Sequence, residues 1–128
     1  MKRIGFITKN KVLAQSLATQ INNNPDLGFE PYLLHDLSQA LLDAEVLKID
    51  IAVVEMIAGT PEDQEVVLPL CESLKQVIPG CRILLFVARN DDASRKVTIN
   101  AMKQKIVDDF VFYDESLEYL FAKLLSLK

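Results

Sequence analysis

The sequence predicts an α/β domain: a doubly wound, five-stranded parallel sheet in the order 2-1-3-4-5, held between two helical layers built from five helices. Three observations carry this. Short apolar runs alternate with stretches of helical periodicity along the whole chain, the pattern of repeated strand–helix–strand units. The run at 49–56, through Ile51-Ala52-Val53-Val54, is apolar without alternation, as a parallel strand covered on both faces must be. Pro31 falls inside the second run, and a residue with no amide donor belongs on an edge strand.

The elements follow in order. Residues 3–8 read as a first buried strand, closed by Lys9-Asn10-Lys11, with Asn10 the N-cap of a helix over 11–22. Its apolar stripe is Leu13, Leu17 and Ile21, and Asn22-Asn23-Asn24-Pro25-Asp26 ends it. Residues 29–34 form the edge strand. Asp36-Leu37-Ser38 opens a second helix, with Leu37, Ala40, Leu41, Ala44 and Leu47 on one face. The central strand at 49–56 ends on Glu55 and Met56, and 57–63 is a loop. Thr60-Pro61-Glu62-Asp63 then combines a hydroxyl cap, a first-position proline and acids in the first turn. The third helix runs to about residue 78, with Val66 or Val67, Leu70, Leu74 and Val77 inward, and either kinks at Pro69 or becomes regular there. Residues 82–87 are a fourth buried strand. Asn90, Asp91 and Asp92 cap a thinly apolar fourth helix over 93–103, with Val97, Ala101 and Met102 inward. Residues 109–113 make the fifth strand. Asp114-Glu115-Ser116 caps a last helix with Leu117, Leu120, Phe121, Leu124 and Leu125 as its stripe.

Composition narrows the function. The 128 residues make one domain with a sizeable core, 50% hydrophobic and 25% charged. A net charge of -4 argues against a nucleic-acid or acidic-membrane surface. The apolar run after Met1-Lys2-Arg3 stops at Thr8, too short for a signal peptide or a membrane span, so a cytoplasmic location is expected. The two cysteines, Cys71 and Cys81, do not form a Cys-x-x-Cys motif. Cys71 should sit ~9–10 Å up the third helix, beyond the ~7 Å reach of a disulfide to Cys81, so both read as reduced, buried hydrophobes. One histidine and two cysteines make a tetrahedral metal site improbable, and His35 reads as a solvated loop residue. No nucleophile elbow, glycine-rich phosphate loop or Cys/His dyad is present, and no cofactor or metal is expected. The candidate site is therefore Glu55, at the C-terminal end of the central strand, where open α/β sheets place their ligands.

Three stretches carry a resemblance: Ile49-Asp50-Ile51-Ala52-Val53-Val54-Glu55, Val87-Ala88-Arg89-Asn90-Asp91-Asp92, and the segment from Val107-Asp108-Asp109-Phe110 to Ser116-Leu117-Glu118. In these, and end to end, the chain resembles the receiver domains of bacterial two-component response regulators, the CheY-like members of the flavodoxin-like folds. The resemblance implies a phosphoryl acceptor Asp at the end of the third strand, where Glu55 stands. It implies an acidic, Mg²⁺-holding pair after the first strand, where Thr8 and Lys9 stand. It implies a hydroxyl residue at the end of the fourth strand and a Lys at the end of the fifth, where Val87 and Tyr113 stand. Phe110 occupies the family's switch-aromatic position.

The departures agree with one another. Mg²⁺ needs several hard oxygen ligands, and beside Glu55 only a hydroxyl and a repelling ammonium are supplied. Val87 offers nothing to a phosphoryl oxygen, and phosphoryl transfer depends on positioning and charge neutralisation. The expectation is a degenerate receiver, a pseudo-receiver outside the phosphorelay. Glu55 reads either as a fixed mimic of the phosphoryl charge or, preferred here, as a strand-end acid paired with Lys9, whose amine would replace the metal. Phe110 reads better as an edge-strand core residue than as a switch. The acids Asp91, Asp92, Asp108 and Asp109 read as capping and solvated residues, and Lys103-Gln104-Lys105 as a solvated helix end. The function expected is non-enzymatic signalling through a protein partner or homodimer. By resemblance the contact face is the fourth helix, fifth strand and fifth helix, including Lys96, Lys103, Val111, Tyr113, Glu118 and Tyr119. The alternative is an anion- or small-molecule-binding protein using the crevice around Thr8, Lys9, Glu55 and Val87. A third alternative is that these residues are the N-terminal part of a longer regulator, and nucleic acid would then enter only through an effector domain beyond them.

Overall fold

Side chains of a strand alternate between two faces, and in this chain both faces of the central strands are apolar, so the sheet must be covered twice. The computed structural model describes residues 1–56, 61–88 and 91–128, with 61–64 described in backbone only. Its elements are β1 (Lys2–Ile7), α1 (Lys11–Asn22), a 3₁₀ turn (Pro25–Leu27), β2 (Phe29–Leu34), α2 (Ala40–Leu47), β3 (Ile51–Met56), α3 (Pro61–Val77), β4 (Arg82–Val87), α4 (Asp92–Lys103), β5 (Asp109–Phe112) and α5 (Leu117–Ser126). The five strands are parallel in the order β2-β1-β3-β4-β5, the CheY-like arrangement. Pro31 lies opposite Ile4 on the edge strand β2, as expected of a residue that cannot donate to a ladder.

Two cores result. Phe6 of β1, Val53 of β3, Phe86 of β4 and Val111 of β5 face α1 and α5, packing on Leu17, Ile21, Leu120 and Leu124. Ile7, Val54, Leu85 and Phe112 face the other way, onto the α2, α3 and α4 side with Ala44, Cys71, Leu74 and Ala101. Both cysteines are free and buried. Burial pushes the Cys71 thiol up to about 12 and the Cys81 thiol up to about 11.

Local sequence explains the helix starts. Asn10 accepts from the Leu13 amide at 3.0 Å, Asp91 from the Ser94 amide at 2.8 Å, and Ser116 from the Tyr119 amide at 3.1 Å. The expected caps Thr60 and Asn90, and most of the expected 57–63 loop, lie outside the described residues. Helix α3 is continuous through Pro69.

Several expectations are corrected. Asp36 does not open α2. Its carboxylate takes the Ser38 amide at 3.0 Å and hydroxyl at 2.6 Å, a local turn that delays the helix to Ala40. Val77, Leu117 and Leu125, expected inward, are exposed, because the inward arcs of α3 and α5 are filled by Cys71 and Leu74 and by Leu120 and Leu124. On α4 the buried positions are Ser94, Thr98 and Ala101, while Val97 and Met102 are only partly covered. Two hydroxyls can be buried there because each is satisfied within the helix: Ser94 donates to Asp91 at 2.7 Å and Thr98 to the Ser94 carbonyl at 2.8 Å.

Candidate functional site

The register of β1 and β3 builds the site. Ile7 pairs with Val54, so Thr8 and Glu55 emerge side by side one residue further on. Thr8 is buried, and its hydroxyl donates to Glu55 Oε1 at 2.5 Å while accepting the Asn10 amide at 2.9 Å. Asn10 in turn caps α1. The acid at the end of β3 is thereby tied through one hydroxyl to the first turn of a helix. A hydrogen bond to a charged acceptor is among the stronger kinds.

The Lys9–Glu55 ion pair expected from the sequence is not formed. Lys9 is exposed, and among the described residues Glu55 has Thr8 as its hydrogen-bond partner. Thr8 takes the place beside Glu55, and Lys9 lies past the end of β1 with its side chain exposed. A lysine amine in the place of a metal is ruled out in this arrangement.

The other expected positions fall at the same end of the sheet but on two faces. Val87 pairs with Met56 and is fully buried on the α2, α3 and α4 side. Phe110 packs on that side too, edge-on to Phe112 with ring centres 5.4 Å apart. Tyr113 follows β5, donates its amide to the Val87 carbonyl at 3.0 Å, and lies on the opposite face with its ring centre 4.3 Å from that of Phe86. Beside Glu55, the space bounded by Phe6, Thr8, Leu13, Leu17, Val53 and Phe86 measures about 10 Å³. That is at the lower limit of the space that holds one water. Among the described residues no cluster of three or more His, Cys, Asp or Glu side chains could hold a metal ion.

The residues expected on a contact face divide by exposure. Lys96, Lys103, Glu118 and Tyr119 are exposed, and Tyr113 is half-buried. Val111 is buried at 1% exposure, because it is the residue of β5 that points into the α1 and α5 core. It is withdrawn from the face. Tyr119 is steadied by the Lys123 ammonium, 5.4 Å from its ring centre. Lys123 also reaches Asp109 at 2.9 Å. Desolvation pulls the Lys123 ammonium down, but the Asp109 carboxylate outweighs it and holds it above the usual lysine value.

Asp108 and Asp109 were expected to be solvated, and neither is. Asp108 accepts from Lys75, from Arg82 at 3.4 Å and from the Ile83 amide at 2.8 Å. This joins α3, β4 and the turn before β5 at the end of the sheet away from Glu55. Partial burial pushes the Asp108 carboxyl up, but the Lys75 ammonium, the Ile83 amide and Arg82 together hold it below the usual carboxylate range.

No family model matches the sequence, and no curated protein matches it. The fold has solved counterparts. A response regulator from Thermotoga maritima superposes with a TM-score of 0.79 at 16% identity, covering 99% of this chain and 97% of that one. The BeF3-activated N-terminal receiver domain of RstA from Klebsiella pneumoniae gives 0.79 at 16% identity, covering 99% of each chain. A CheY-like receiver domain protein from Methanospirillum hungatei gives 0.76 at 15% identity, covering 98% and 92%. At these identities the likeness is one of fold.

Proposed function

We propose that the chain is a receiver-like signalling module that takes up no phosphoryl group by the aspartate–magnesium route and works through protein–protein contact. The observation that carries this reading is the Thr8–Glu55 hydrogen bond. Where a receiver would need a second carboxylate to gather a metal, this chain has a hydroxyl that already occupies one oxygen of the acid. Val87 brings no hydroxyl to the end of β4, and Tyr113 brings no ammonium to the end of β5. Among the described residues no helix is long and apolar enough to cross a membrane.

The test is the intact mass after incubation with a small phosphodonor and Mg²⁺, for wild type and Glu55→Asp. Neither protein is expected to gain a phosphoryl group. A gain by the variant alone would mean that only the acceptor was lost, and a gain by wild type would overturn the reading. The contact face has its own test. Wild type is expected to self-associate or to hold its partner through Tyr119 and its exposed neighbours, and Tyr119→Glu to weaken that contact at least about tenfold, as loss of an aromatic anchor does. Light scattering across a concentration series checks the homodimer. Unchanged association in the variant would remove this face.

A further inference from the structure

We propose that the end of the sheet opposite Glu55 is a docking surface for a short acidic segment of a partner protein. In a parallel sheet joined by crossover helices, every strand starts and every helix stops at the same end. Here that end exposes Lys2 at the start of β1, Lys48 after α2, Arg82 at the start of β4, Lys105 after α4 and Lys128 after α5. Lys2, Lys48 and Lys105 make no ion pair among the described residues. Two of the acids at this end are already taken: Asp108 holds Lys75, Arg82 and the Ile83 amide, and Asp50 takes the Arg3 amide at 2.8 Å. Asp26 and Glu72 are the exposed acids beside the cations. The chain as a whole carries -4, so this gathering of cations runs against the charge of its own molecule.

The second observation lies in the backbone. Lys48 has a φ of 56° and Lys105 a φ of 59°, the left-handed positions outside glycine among the described residues. Helices often end on such a residue, and glycine or asparagine is the usual choice because a Cβ is strained there. This chain puts a long cationic side chain at both positions, at the same end of the sheet, and leaves both exposed. A helix C-terminus favours a cation, but a lysine anywhere in the last turn supplies that without left-handed strain. The cations also wall two open clefts. Lys2, Arg82 and Lys128 line one on the α5 side, and Lys75 and Lys105 line the other on the α3 and α4 side, so a carboxylate entering either one meets an ammonium or a guanidinium. Five strands spaced about 4.8 Å apart make a row of ~20 Å, the length of about six extended residues. A short acidic segment stays within that row. A long polyanion, such as nucleic acid or an anionic membrane, runs past it onto the acidic remainder of the molecule and is repelled. The surface lies apart from both Glu55 and Tyr119, so its occupant is additional to a contact through the α4, β5 and α5 face.

The experiment is a titration of the isotopically labelled chain with octaglutamate at low salt, followed by amide chemical shifts. Saturable shifts are expected at Lys2, Lys48, Arg82 and Lys105, weakening as salt rises, with none at Thr8 or Glu55. The double variant Lys48→Gly, Lys105→Gly removes two charges and the left-handed strain together. It is expected to keep the wild-type thermal midpoint and to bind the peptide about 2- to 30-fold less tightly, the range for two exposed ion pairs. Tyr119→Glu is expected to bind the peptide as wild type does, which separates this surface from the other contact face. Equal peptide affinity in the glycine variant would overturn the proposal, and so would shifts that fail to saturate or that map elsewhere. Tighter binding of an oligothymidylate or of phosphatidylserine vesicles through the same residues would overturn it too, because the occupant would then be a phosphate polyanion.

Discussion

Replacing Asp108 with alanine is expected to lower the unfolding free energy by about 3 kcal/mol, the scale for removing one partner of a largely buried charge cluster. The carboxylate side chain is 18% exposed, and three donors converge on it from α3 and β4: Lys75, Arg82 and the Ile83 amide. Lys75 is itself only 24% exposed and also donates to the Cys81 carbonyl at 3.0 Å. Without Asp108, an ammonium and a backbone amide lose their acceptor in a half-dry site, and that desolvation dominates the effect rather than the lost attraction. The sign of the pH dependence follows. The folded-state carboxyl lies below its unfolded value, so its contribution is complete above the unfolded pKa and fades as pH falls through the folded one. Urea unfolding of wild type and Asp108→Ala from neutral pH to below about pH 4 should therefore show two curves that converge on acidification. Curves that stay parallel would mean that the cluster does not hold its charge in the folded state.

Phe6→Ala should have the largest effect of any single truncation near the site, a loss of about 4 kcal/mol. Phe6 is 1% exposed in β1, between the edge strand β2 and the central strand β3, and it walls the small space under Thr8 and Glu55. Removing its ring takes dispersion contacts from Leu17, Val53 and Phe86 at once, and neither rigid strand can close in to recover them. Phe6→Leu keeps most of the volume and should cost less than about 1.5 kcal/mol. Denaturant unfolding of both variants checks the ratio. A small loss in Phe6→Ala would show that this end of the sheet is not held by the Phe6 packing.

The fold was legible because its signals are local. Unbroken apolar rows, a proline in an edge strand, and Asn10 and Ser116 ahead of helical stripes each act within a few residues. What escaped was non-local or satisfied locally in an unforeseen way. The Thr8–Glu55 bond joins residues 47 apart and the Lys75–Asp108 bond residues 33 apart, so neither has a short-range pattern. Charge alone suggested Lys9 as the partner of Glu55, yet Thr8 takes that place. Strand alternation turns Val111 inward. Ser94 and Thr98 carry no sequence signal of burial, and their hydroxyls bond to the Asp91 cap and the Ser94 carbonyl, which removes the penalty for burying them.

Cys71 and Cys81 give the molecule a pair of internal clocks. Alkylation needs a thiolate that a reagent can reach, and here both thiols are buried with their pKa values pushed to about 12 and about 11. Labelling at neutral pH therefore requires an opening, of α3 from the sheet for Cys71 and of the turn before β4 for Cys81. The rate of label uptake, read without denaturant, then measures how often that half of the molecule comes apart.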